Sequence, residues 1–141
     1  METTEYRSKM MKKIRSTGGK AETILAKLLY HKGIRYRKNF KDLPGKPDIA
    51  ITKYKIAVFI DGEFWHGYDW SFQKNHRIHT HRDYWIPKIE KNMARDVKVT
   101  KKLENMGWIV IRFWEKHDVL KNPTMCRDII LKYVYDRKYG N

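Results

Sequence analysis

The apolar and polar positions are most sharply ordered between residues 55 and 66. Ile56, Val58 and Ile60 fall on one face of an extended segment, and Ala57 and Phe59 fall on the other. Both faces stay apolar until Asp61, the pattern of a strand buried on both sides. The run stops at Asp61-Gly62-Glu63, a turn signal with two carboxylates, and Phe64-Trp65-His66 follows at once. Rigid support therefore lies directly beneath polar chemistry. Upstream, Pro44-Gly45-Lys46-Pro47 predicts a turn that delivers Asp48 onto a short strand over 49–52. With a strand over 34–40, the middle of the chain reads as an antiparallel hairpin or meander.

Helical periodicity frames these strands. A helix is predicted over 20–31, with Ile24, Leu25, Leu28 and Leu29 as its apolar residues and Gly33 as its stop. Glu22 shares the face of Leu25 and Leu29. It is either an acid favoured by the helix dipole or a functional group turned inward. Residues 67–82 show no clear period and read as a long loop, a length that favours function. Their histidines, His76, His79 and His81, match no standard zinc spacing. A long helix over 83–106, stopped by Gly107, puts Ile89, Met93, Thr100 and Leu103 on one stripe, and Asp96 lies on it too. Pro87 is tolerable near its first turn. The segment 108–114 predicts a strand returning as an interior neighbour of the sheet. A last helix over 124–137 would pack through Ile129, Ile130, Tyr133 and Val134. The order α-β-β-β-α-β-α makes this an α/β chain, with a mixed central sheet flanked by helices. One domain is expected over 1–141, with a basic arm over 1–19.

Charge changes the picture. Lys and Arg number 31 against 16 Asp and Glu, a net charge of +15, which calls for a polyanionic partner. The basic residues are spread along the chain and not gathered on one amphipathic helix, which argues against a membrane surface. No apolar run reaches membrane-spanning length, and the N-terminus lacks signal-peptide order. A cytoplasmic, nucleoid-associated protein is expected. The single cysteine, Cys126, excludes an intrachain disulfide and a multi-cysteine zinc site, and it reads as a small core residue.

Five polar residues sit where packing residues belong: Glu22, Asp48, Asp61, His66 and Asp96. Hard oxygen ligands beside a histidine suit a magnesium site that activates water at a phosphodiester. Magnesium needs only one or two direct protein ligands, so Asp48 with outer groups suffices. His66 can move a proton near neutral pH.

Several stretches together carry a family resemblance. They are Pro-Gly-Lys-Pro-Asp at 44–48, Gly-x-Phe-Trp-His at 62–66, Tyr-Trp-x-x-Lys-Ile-x-Lys-Asn-x-x-Arg-Asp at 84–96 and Gly-Trp-x-Val…Trp-Glu at 107–115. In this order they resemble the very-short-patch repair (Vsr) DNA mismatch endonuclease family, and Arg7-Ser8-Lys9-Met10 fits its N-terminal arm. The resemblance implies a restriction-endonuclease-like fold and magnesium-dependent nicking of one strand of double-stranded DNA at a T·G mismatch. It implies that Asp48 and the main-chain carbonyl of Ile60 hold the metal and that Glu22 holds metal-bound water. His66 and Asp96 would handle protons at the scissile phosphate. Phe64, Trp65 and Trp85 would form an aromatic wedge, and Arg7, Lys9, Lys12 and Lys13 would follow the DNA backbone.

The departures from the family pattern matter as much. Glu63, Tyr68, Trp70 and Lys116 stand where better-known members carry cysteine and histidine ligands, so no structural zinc is expected. Asp61 also departs from the commoner residue and adds a carboxylate available to the metal. Two alternatives stand beside mismatch nicking: a homing- or restriction-type endonuclease on the same fold, and a non-cleaving DNA-bending protein. A monomer is expected, with other repair proteins as further partners.

Overall fold

The computed structural model describes residues 19–140. Arg7, Lys9, Lys12 and Lys13, with nearly all of the predicted arm, lie outside the described residues. Helix α1 spans 19–31 and ends before Gly33. Strands β1 (Arg37–Lys38), β2 (Ile49–Ile51) and β3 (Ile56–Asp61) follow, with a 3-10 turn at Thr52–Tyr54. Then come α2 (Glu63–His66), α3 (Trp70–His76), α4 (Arg82–Asn105) and β4 (Ile109–Trp114). A π-helical turn, Glu115–Leu120, leads into α5 (Pro123–Tyr139).

The sheet order is β1-β2-β3-β4. β1, β2 and β3 form the expected antiparallel meander, Ile49 lying opposite Val58. β4 runs parallel to β3, with Phe59 beside Arg112 and Asp61 beside Trp114. A parallel neighbour requires a crossover, and α4 supplies it. β4 was expected in the interior; among the described strands it is an edge, and β3 is interior. The first strand is also shorter than the predicted 34–40, although Ile34 and Tyr36 still pack on the core.

β3 is buried on both faces, as its sequence requires. Ile56 and Val58 pack with Ala21, Leu25 and Leu29 of α1 and Cys126, Ile130 and Val134 of α5. Ala57 and Phe59 pack on Leu103 of α4. The packing stripe of α5 differs from the expected one: Cys126, Ile130 and Val134 are buried, while Ile129 and Tyr133 are exposed. Its apolar residues occupy two adjacent stripes, and the wall behind the helix decides between them. Cys126 is the buried core residue expected.

In place of the expected long loop over 67–82, a two-turn helix, Trp70–His76, occupies the middle of the stretch. Helices of one or two turns are too short to show a period. Ile78 from this region joins Trp85 and Ile89 of α4 in a third cluster. Two glycines let the chain press on α4. A Cβ on Gly45 would lie 2.4 Å from Val99 Cγ1, and one on Gly67 would lie 2.3 Å from Met93 Sδ; both residues have positive φ. They bring the Asp48 turn and the end of α2 against the same helix.

Candidate active site

The site forms where β3 runs out. β2 begins at Ile49, so Phe59 and Ile60 extend past its pairing. The Ile60 N–H donates to Asp48 Oδ2 at 2.7 Å. The N–H and C=O of one strand residue project to the same edge, so the Ile60 carbonyl also turns toward Asp48. Glu22 approaches from α1, and its Oε1 is shut from solvent with no hydrogen-bond partner among the described residues.

This side of the site is short of positive charge. Burial pushes the Asp48 carboxyl up to about 6; the Ile60 amide opposes this, while the negative charges of Glu22 and Asp61 add to it. Burial likewise raises Glu22, against the pull of Lys38, Asn39 and Lys46. Two crowded carboxylates, an orphaned buried oxygen and a main-chain carbonyl facing them fit a divalent cation.

The second half of the site is already charge-balanced. His66 Nδ1 lies 2.5 Å from Asp96 Oδ2 and 3.7 Å from Asp61 Oδ1. Arg112 Nη1 donates to Asp61 Oδ1 at 3.1 Å and to Oδ2 at 3.0 Å. Burial alone would push the imidazole down. The Asp96 hydrogen bond and the charges of Asp61 and Asp96 outweigh it and hold His66 above its ordinary value. Ligand atoms of Asp61, His66 and Asp96 all lie within 4.8 Å of one another, a spacing that could also hold a cation. Here, however, a guanidinium occupies Asp61 and an imidazole occupies Asp96. Among the described residues Asp48 and Glu22 have no such hydrogen-bonded cationic partner, while Asp61 is shared between Arg112 and the group of ligand atoms it forms with His66 and Asp96.

Glu22, Asp48, His66 and Asp96 thus lie near one rim: Glu22 and Asp96 reach it from helix stripes, Asp48 from the turn before β2 and His66 from α2. Arg112 escaped the sequence reading. Its signal was there: it is the one charged residue in the strand Ile109–Trp114.

The aromatic residues divide. Phe64, Trp65 and Trp85 form an edge-to-face triad with centroids 5.1–5.5 Å apart. Phe64 and Trp65 are half-buried. Trp85 is only 3% exposed and backs the other two rings. Lys88 Nζ lies over the Trp65 ring at 5.7 Å, and Asn92 Nδ2 donates to the Trp65 carbonyl.

Glu63, Tyr68 and Lys116 line a cavity of about 180 Å³ with His117. Trp70 points elsewhere, its indole N–H donating to Glu90. Glu63 Oε2 accepts from the Lys116 and His117 amides at 2.9 and 2.8 Å and pairs with His117 Nδ1 at 2.8 Å. Burial would raise Glu63, but these bonds outweigh it and hold it below its ordinary value. One carboxylate thereby ties α2 to the turn after β4. Glu63→Ala leaves two amides without their acceptor and should cost about 2–3 kcal/mol. Urea titration of the two proteins checks this, and elemental analysis of the wild type should find sub-stoichiometric zinc.

A mixed sheet flanked by helices, with Asp61, His66 and a half-buried aromatic pair where its interior strand ends, fits the restriction-endonuclease-like DNA nuclease fold that the family resemblance implies. The family model described as DNA mismatch endonuclease Vsr matches residues 1–72. The chain is 48% identical over 136 residues to type II nicking enzyme V.NmeDIP of Neisseria meningitidis serogroup C, covering 96% of this chain and 90% of that protein. It is 50% identical to type II nicking enzyme V.HpaIIP of Haemophilus parainfluenzae, covering 96% and 95%. It is 35% identical to DNA mismatch endonuclease Vsr of Escherichia coli K12, covering 77% and 69%. The chain belongs to the Vsr family and is a nicking endonuclease. No described helix is long and apolar enough to cross a membrane.

Proposed function

We propose that the chain nicks one strand of duplex DNA at T·G mismatches, in a very-short-patch type of repair, with magnesium at Asp48 and the Ile60 carbonyl. The observation that carries this reading is the juxtaposition at one rim. The buried Glu22–Asp48 carboxylates lie beside the hydrogen-bonded His66–Asp96 pair, and the short helix that carries His66 also carries Phe64 and Trp65.

Each residue then has a role that its surroundings support. Asp48 and the Ile60 carbonyl would hold the metal, which when bound would supply Lewis-acid polarisation of the phosphate and a lower pKa for the attacking water. Glu22 orients that water with the carboxylate oxygen that lacks a partner. His66, held by Asp96 and shifted toward its protonated form, donates a hydrogen bond and then a proton to the departing oxygen, a contribution of ~10²–10⁴-fold. Phe64 and Trp65 press into the base step beside the mismatch. The net charge of +15 draws the duplex in. The names of V.NmeDIP and V.HpaIIP, type II nicking enzymes, favour a second reading in which a restriction-type site sets the target. Duplexes labelled on either strand test the proposal: magnesium should yield a cut in the T-bearing strand alone, and EDTA should abolish it.

A further inference from the structure

The acid beside His66 is chosen, and the choice lies with a side chain from the neighbouring strand. Asp61 and Asp96 both come within reach of His66 Nδ1, at 3.7 and 2.5 Å. A single N–H cannot bond both well, and the two acids approach from different elements, β3 and α4. Which one holds the ring decides where Nε2 points.

Arg112 lies beside Phe59 in the parallel register, so its side chain rises on the face that carries Asp61. Its guanidinium is fixed from every direction. Nε donates to Thr100 Oγ1 at 2.8 Å, and Nη2 donates to the Asp96 main-chain carbonyl at 3.3 Å. The group lies 4.1 Å from the Phe59 ring centroid. Nη1 donates to both oxygens of Asp61 at 3.1 and 3.0 Å and lies farther, 3.8 Å, from Asp96 Oδ1, so its hydrogen bonds go to Asp61 and leave Asp96 Oδ2 to the imidazole. A rigid fork of donors meets this set, and the point charge of a lysine would not. Arg112 is 22% exposed and Asp61 10%, so solvent screens the pair weakly.

We propose that Arg112 is a positioning residue for the nicking reaction: by holding Asp61 it keeps that acid off His66 and leaves Asp96 as the imidazole's carboxylate partner. The inference rests on the reading of His66 as the proton-handling group. Losing the guanidinium frees Asp61 to compete, and the ring turns from its working orientation. A misplacement of about 1 Å costs about 100-fold in rate.

The test is nicking kinetics on a duplex that the wild type cuts, using Arg112→Met, Arg112→Lys and the double variant Arg112→Met/Asp61→Asn. Arg112→Met should lower kcat by about 100-fold with KM within about 3-fold, because the guanidinium faces the acids and not DNA. Arg112→Lys should recover little. Removing the competing acid in the double variant should recover at least about tenfold of the loss in kcat per active enzyme, under conditions where thermal melts show single and double variants equally folded, so that relief of an unpaired buried carboxylate does not account for it. Wild-type kcat in Arg112→Met, or a double variant no faster than the single, overturns the proposal. If Arg112→Met does not fold, Arg112→Lys and Arg112→Lys/Asp61→Asn, which keep the charge and stem, carry the same comparison. A fast Arg112 variant beside an active wild type counts against Arg112 alone, whereas an active His66→Ala counts against the reading beneath it.

Discussion

Asp48→Ala should reduce nicking by ~10³-fold or more while DNA binding holds or improves. On the proposed reading Asp48 is the metal's one direct carboxylate, and several kcal/mol of transition-state stabilisation would go with it. Binding should not suffer, because an uncompensated carboxylate beside phosphates repels them. The same residue leaves a signature in stability. The Asp48 carboxyl rises from 3.8 to about 6 on folding, chiefly through burial. Between those values the folded chain holds a proton that the unfolded chain releases, so stability falls as pH rises through the window. Above about pH 6 the cost is full, about 1–3 kcal/mol for a shift of this size. Asp48→Asn should therefore raise Tm in EDTA at pH 7.5 and leave it unchanged near pH 3.5. Magnesium should then stabilise the wild type and not the variant. A variant that cuts at the wild-type rate would remove Asp48 from the metal site, and an Asp48→Asn protein no more stable at pH 7.5 would remove the buried-charge cost.

Trp65→Ala should lower cleavage of T·G duplex by roughly 10- to 150-fold, the worth of about 1–3 kcal/mol of base–aromatic stacking. The structure gives reasons to place the wedge at Trp65 and Phe64. Their backbone follows β3 directly, Asn92 pins the Trp65 carbonyl, and Trp85 supports both rings from beneath. Inserting a ring unstacks a base step at a few kcal/mol, and a wobble pair deforms more readily than a matched one. The mismatch preference should therefore fall with the ring, not just the overall rate. Phe64→Ala should act in the same direction, with some loss of stability, since Phe64 packs edge-on against two tryptophans. A fluorescent base analogue beside the mismatched T should brighten on binding wild type and stay quenched with Trp65→Ala. An unchanged preference ratio in Trp65→Ala would return these rings to a packing role.

Much of this site is legible before any coordinates. The two-sided apolar run of β3 and the stripe of α4 show why Asp61 and Asp96 face inward, because periodicity along one element is a local property. The Pro44–Pro47 turn likewise announces Asp48. What escapes is non-local. Arg112 meets Asp61 across 51 residues, and the Lys116 and His117 amides meet Glu63 across 53 and 54. No period within one element reports such pairs. The place of β4 at the sheet edge and the buried stripe of α5 are hidden for the same reason. Trp85 shows the converse limit: a tryptophan near a helix start can face solvent or the third cluster, and only Ile78 packed against it decides.

The most direct test of the central claim is single-turnover nicking of duplexes carrying one T·G pair within randomised flanks, compared with the same duplexes carrying T·A. With magnesium, the T-bearing strand of the T·G set should be cut in preferred flanking contexts, while the T·A set stays intact. Equal cutting of both sets would contradict mismatch recognition and give the restriction-type role its place.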